Sequence, residues 1–82
     1  MSEDVVQEKL VKVFAVVLKI PAESVTEDLS PDSCATWDSL HHVHLVSAID
    51  EVFGITLTFE QQMEIMTFDL ARDVVREAVA GK

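Results

Sequence analysis

The stretch Trp37-Asp38-Ser39-Leu40-His41-His42-Val43-His44-Leu45-Val46-Ser47-Ala48-Ile49-Asp50-Glu51-Val52-Phe53-Gly54 decides how the rest of the chain is read. Apolar residues recur in it at helical spacing, and it closes on glycine, the residue that most easily takes the left-handed conformation ending a helix. The pattern predicts a helix starting at Asp38-Ser39, with the serine hydroxyl exposed beside backbone N–H groups that have no intrahelical acceptor. At about 100° per residue, His42, Leu45, Val46, Ile49, Val52 and Phe53 share one arc, the predicted core side. Leu40 and Val43 fall outside it with Ser47, flanked by His44, Asp50 and Glu51. Two exposed apolar residues next to a singular serine predict a docking patch rather than scattered surface apolar groups.

Towards the N-terminus, Ala22 to Trp37 is rich in Ser, Thr, Asp and Glu and is punctuated by Val25, Leu29 and Trp37. It reads as an ordered loop anchored by those apolar residues, and a loop so long in a small domain has a use, here the placing of Ser39. Trp37 is expected to pack into the core. Ile20-Pro21 ends the element before the loop, because proline cannot continue a helix interior and disfavours helix in the residue before it. Val6, Leu10, Val13, Phe14, Val17 and Leu18 then place a first helix over about Ser2 to Leu18. Ser2 is its expected cap, with Glu3 and Asp4 at the positive end of its dipole.

Towards the C-terminus, Ile55-Thr56-Leu57-Thr58-Phe59 alternates like a strand but has no second strand to pair with, and reads as an extended connector buried through Ile55 and Leu57. Glu60 to Met66 is predicted as a short helical turn with Met63, Ile65 and Met66 inward. Thr67 caps a predicted last helix, Phe68 to Val79, with the stripe Phe68, Leu70, Ala71, Val74, Val75 and Ala78. Phe59, Met63, Met66 and Phe68 read as core filling, or as the lining of a cavity for bound cargo. The expected fold is all-α: a bundle of three main helices plus one short helix, with a long first loop, in one domain over 1–82.

Composition narrows the function. The chain has 82 residues, with 15 acidic against six basic side chains and a formal net charge of −9. Such acidity opposes nucleic acid and anionic membranes and suits partners carrying Lys/Arg patches. A domain of this size has room for a modest core but not for a large buried catalytic pocket, which favours binding or carrying over catalysis. Cys34 is the single cysteine, so no internal disulfide forms, and the N-terminus has no basic segment leading into an apolar one. A cytoplasmic, soluble monomer is the expectation, since the longest apolar run, Val13 to Leu18, is six residues and cannot span a bilayer.

Four features together resemble the acyl carrier proteins: Asp38-Ser39-Leu40 at a helix start, the run Leu45-Val46 through Ile49-Asp50-Glu51-Val52-Phe53-Gly54-Ile55, the long first loop, and the closing Thr67-Phe68-Asp69-Leu70. The resemblance extends over nearly the whole chain. It implies that Ser39 is esterified by 4′-phosphopantetheine from coenzyme A through a magnesium-dependent phosphopantetheinyl transferase, and that the arm's thiol then carries acyl groups as thioesters. It implies that Asp38 assists engagement by the transferase and its metal. It also implies that Leu40 and Val43, with the acidic Asp50 and Glu51, form the face met by the transferase and by acyl-loading and acyl-processing enzymes, a face that the helical arc extends to His44 and Ser47. A phosphodiester at a helix N-terminus is physically sensible, because it meets unsatisfied N–H donors and the positive dipole end. Where the family commonly has a glycine two residues before the aspartate-serine-leucine triplet, this chain has Thr36-Trp37. His41 and His44 stand where housekeeping members carry acids, which removes negative charge near neutral pH and points to a specialised lipid, polyketide or related pathway.

Other constellations are weaker. Asp38, Ser39 and His42 or His44 hold the residue types of a hydrolytic triad but would crowd one helix turn with no recognisable oxyanion hole. His41 and His44 could share a metal with Asp38 or Cys34, yet complete no known ligand spacing. Cys34 has no neighbouring cation to activate it and reads as an ordinary loop cysteine. The alternatives to an acyl carrier are an aminoacyl or peptidyl carrier with the same arm, and an unmodified helical interaction module in which Ser39 is only a cap.

Overall fold

A computed structural model describes the backbone of residues 3–81 and the side chains of residues 5–81. Four α-helices follow in order: α1 Glu3–Leu18, α2 Ser39–Phe53, α3 Phe59–Glu64 and α4 Phe68–Ala80, with a 3₁₀ turn at Ala22–Ser24 inside the first loop. No strand occurs among the described residues, so the expected all-α bundle with one short helix is the fold. The predicted Ser2 cap and the roles given to the Glu3 and Asp4 side chains lie outside what is described.

The ends of the helices follow their local chemistry. At the end of α1, Lys19 takes a left-handed φ of 58° and the Ile20 N–H reaches back to the Ala15 carbonyl at 3.0 Å, after which Pro21 prevents continuation. Gly54 closes α2 at φ 63° and ψ 40°, the conformation that glycine adopts without steric penalty. The α3 helix is opened by a capping box: Thr58 Oγ1 accepts from the Gln61 N–H at 3.1 Å, and Gln61 Oε1 accepts from the Thr58 N–H at 2.9 Å. The sequence signature was present in Thr58-Phe59-Glu60-Gln61. Thr67 caps α4 as expected, its hydroxyl accepting from the Leu70 N–H.

The core runs through all the main helices. Leu10, Phe14 and Leu18 of α1, Leu45 and Ile49 of α2, and Phe68, Ala71 and Val75 of α4 are essentially solvent-free. Phe14 is central: its ring meets Phe68 edge-on at 5.1 Å and Trp37 edge-on at 5.3 Å, both within the favoured range for aromatic pairs. The long loop is stitched to this frame. The Thr36 hydroxyl donates to the Leu18 carbonyl at 2.7 Å, the Phe68 N–H donates to the Leu29 carbonyl at 2.9 Å, and Arg72 joins Gln7 of α1 to Glu27 of the loop.

Several predicted core positions face outwards instead. Phe59 is 74% exposed, Met63 63% and Met66 64%, so of the residues predicted to point inward from this region only Ile65 does. A helix of six residues makes less than two turns and has only one narrow buried side, too short for periodicity to identify. Val52 of α2 and Leu70 of α4 are likewise exposed, and Phe53 and Ile55 are half-buried. Cys34 departs in the other direction: it is buried despite its polar neighbours, with Sγ 3.2 Å from the Thr36 hydroxyl.

Candidate functional site

Ser39 is the first residue of α2, and Asp38 is its N-cap. The cap is therefore the aspartate, and the serine hydroxyl is left for other uses. Asp38 Oδ1 accepts from the His41 N–H at 2.9 Å and lies 2.8 Å from His41 Nδ1. Those contacts, the backbone one foremost, hold the Asp38 carboxyl below its ordinary value. The ionised carboxylate can only accept, so His41 Nδ1 carries the proton. Ser39 Oγ is exposed and has no hydrogen-bond partner among the described residues, and the N–H groups of Ser39 and Leu40 have no acceptor there.

Beside Ser39 opens a cleft of about 660 Å³. Pro31 and Asp32 of the loop contribute to it, as do Trp37, His42, and Ile65 and Met66 after α3. His42, placed by the helical arc on the core side, is half-buried and bonded at both nitrogens. Trp37 Nε1–H donates to His42 Nδ1 at 3.1 Å, and His42 Nε2 lies 3.1 Å from the Gln62 carbonyl. Sequence reasoning missed this role, and also that of Gln62, because periodicity reports which way a residue faces and not what its polar atoms meet. Thr36 and Trp37, the departures before the triplet, have structural work: the hydroxyl ties the loop to α1, and the indole is 2% exposed in the core.

The predicted docking residues sort into two kinds. Leu40 and Val43 are 63% and 62% exposed, and His44, Ser47 and Glu51 are exposed with them. Asp50 is half-buried, and its Oδ1 accepts from the Leu57 N–H at 3.0 Å, so it also fastens the connector that follows α2. The hydrolytic reading finds no geometry. Neither His42 nor His44 hydrogen-bonds Ser39, and both nitrogens of His42 are engaged elsewhere. Among the described residues no three His, Cys, Asp or Glu side chains gather as metal ligands, and no helix is long and apolar enough to cross a membrane.

No protein-family model matches the chain. Over 79 residues it is 33% identical to acyl carrier protein 3, chloroplastic, of Cuphea lanceolata, an alignment taking in 93% of this chain and 55% of that protein. The chain belongs to the acyl carrier protein family. It spans about half the length of that relative. The fold agrees: the solution structure of holo acyl carrier protein from Geobacter metallireducens superposes with a TM-score of 0.81 over 92% of this chain and 86% of that one, at 20% sequence identity. The four-helix order of this chain is thus an acyl-carrier-like fold.

Proposed function

We propose that this chain is a non-catalytic acyl carrier whose Ser39 receives 4′-phosphopantetheine and presents acyl groups to the enzymes of a specialised lipid, polyketide or related pathway. The observation that carries the reading is the pairing at the start of α2: Asp38 takes the cap, and Ser39 stands next to it with an exposed, unbonded hydroxyl.

The residues present fit the group. The N–H groups of Ser39 and Leu40 and the positive end of α2 would stabilise the phosphate of an esterified Ser39. In the loading step Ser39 Oγ forms the ester bond to the phosphorus of the arm. The bond from that phosphorus to the nucleotide side of coenzyme A breaks, and the hydroxyl proton leaves to the transferase. Asp38, ionised and at the rim of the same cleft, would assist engagement by the transferase and its magnesium. Once attached, the arm supplies a terminal thiol that holds acyl groups as thioesters. Leu40 and Val43 offer an apolar centre, and Glu51 with Asp50 an acidic rim, for a partner surface carrying Lys or Arg. His44 and Ser47 extend that face without adding negative charge near neutral pH, which favours partners outside general fatty-acid synthesis.

Incubation with coenzyme A, magnesium and a broad-specificity phosphopantetheinyl transferase, followed by intact-mass measurement, tests the assignment. The wild-type chain should gain one phosphopantetheine and Ser39→Ala none. No gain in the wild type would leave an unmodified helical interaction module, and an equal gain in the variant would remove the attachment from Ser39.

A further inference from the structure

We propose that His42 is a positioning residue for the cleft beside Ser39: its ring bridges Trp37 and the end of α3, and so fixes the wall that Ile65 and Met66 form. The two hydrogen bonds define its state. The Trp37 indole N–H can only donate, so His42 Nδ1 accepts and carries no proton; the Gln62 carbonyl can only accept, so His42 Nε2 carries one. The neutral Nε2–H tautomer is the form that satisfies both partners, and the ring also stacks on Trp37 with centroids 6.2 Å apart and planes 12° apart.

The Gln62 carbonyl belongs to the last turn of α3, where carbonyls have run out of intrahelical donors. Its other contact is a long 3.4 Å bond from the Ile65 N–H. A helix of six residues has little stability of its own. Its start is held by the capping box of Thr58 and Gln61, and its end by a side chain from a different helix. Ile65 and Met66 follow directly and line the cleft with Ser39 and His42. On the other side Trp37 is clamped by Phe14 in the core, so His42 refers the position of α3 to the rigid part of the bundle. The bridge is a property of the unmodified chain; only its bearing on the arm rests on the carrier reading. The test therefore uses no coenzyme A.

Nitrogen NMR of the full chain reads the ring directly: Nδ1 should appear unprotonated and Nε2 protonated. Amide hydrogen exchange is then compared among wild type, His42→Phe, which keeps a stacking ring without either bond, and His42→Gln, whose amide can accept and donate in the same places. Loss of a bond that holds a helix end predicts exchange roughly 10-fold faster over residues 62–66 in His42→Phe, with α1 and α4 unchanged and with protection recovered in His42→Gln. A protonated Nδ1 in the wild type overturns the proposal. So does unchanged exchange at 62–66, or an equal rise in α1 and α4. Should His42→Phe fail to fold, the wild-type ring state and the protection in His42→Gln decide.

Discussion

Asp38 and Ser39 divide two tasks that either could perform. Both are good helix caps, yet the aspartate takes the cap and bonds both the backbone and the ring of His41, so the serine oxygen points to solvent unengaged. Folding lowers the Asp38 carboxyl below its ordinary 3.8. A depressed acid contributes stability that is present above its unfolded value and is lost as pH falls through its folded one. Asp38→Ala is therefore expected to be less stable than wild type in chemical denaturation at neutral pH, and the difference should shrink on acidification through that range. A difference that stayed constant down to the acid limit would show that the carboxylate charge contributes nothing. At this scale the sequence was informative where a residue's role follows from its position on one helix. Leu40 and Val43 were legible as exposed because the arc of α2 leaves them off the core side. The partners of His42 were not, since both come from other segments.

At the scale of the helix, α2 separates a buried side, Leu45, Val46 and Ile49, from an outward one bearing Leu40, Val43, Ser47 and Glu51. Its acidic rim is not uniform. Asp50 holds the Leu57 N–H and so serves the fold as well, whereas Glu51 has no such bond among the described residues and isolates the docking contribution. Charge reversal at an exposed rim mainly changes association, so Glu51→Lys should slow phosphopantetheinyl transfer by roughly 10-fold at low salt, and less at high salt, with an unchanged circular dichroism spectrum. An unaffected transfer rate would remove the acidic rim from the docking account. Helices of 13 to 16 residues were readable because several turns repeat the same apolar positions. The short α3 was placed but not oriented, and its Phe59, Met63 and Met66 were assigned inward when they face out.

Across the whole molecule, one aromatic line joins the pieces: Phe68 of α4 meets Phe14 of α1, Phe14 meets Trp37 of the loop, and Trp37 stacks on His42 of α2. Phe14 is the shared member and is fully buried. Truncating a buried phenylalanine costs about 3–5 kcal/mol, a large fraction of the 5–15 kcal/mol typical of folded domains. Phe14→Ala should accordingly lower the denaturation midpoint sharply and loosen the loop that presents Ser39, whereas a loss under about 1 kcal/mol would show that this line does not organise the bundle. The long loop was legible as anchored because Leu29 and Trp37 interrupt its polar run, but the burial of Cys34 and the bond from Thr36 to Leu18 depend on packing that composition does not record. What this architecture delivers is one unbonded hydroxyl at the head of α2, beside an open cleft and an exposed apolar face. The most direct test is to digest the transferase-treated chain with trypsin and sequence the fragment from Ile20 to Arg72 by tandem mass spectrometry. That fragment contains Ser24, Ser30, Ser33, Ser39 and Ser47. Phosphopantetheine is expected on Ser39 alone; modification at any of the other four serines, or of none, would contradict the carrier assignment.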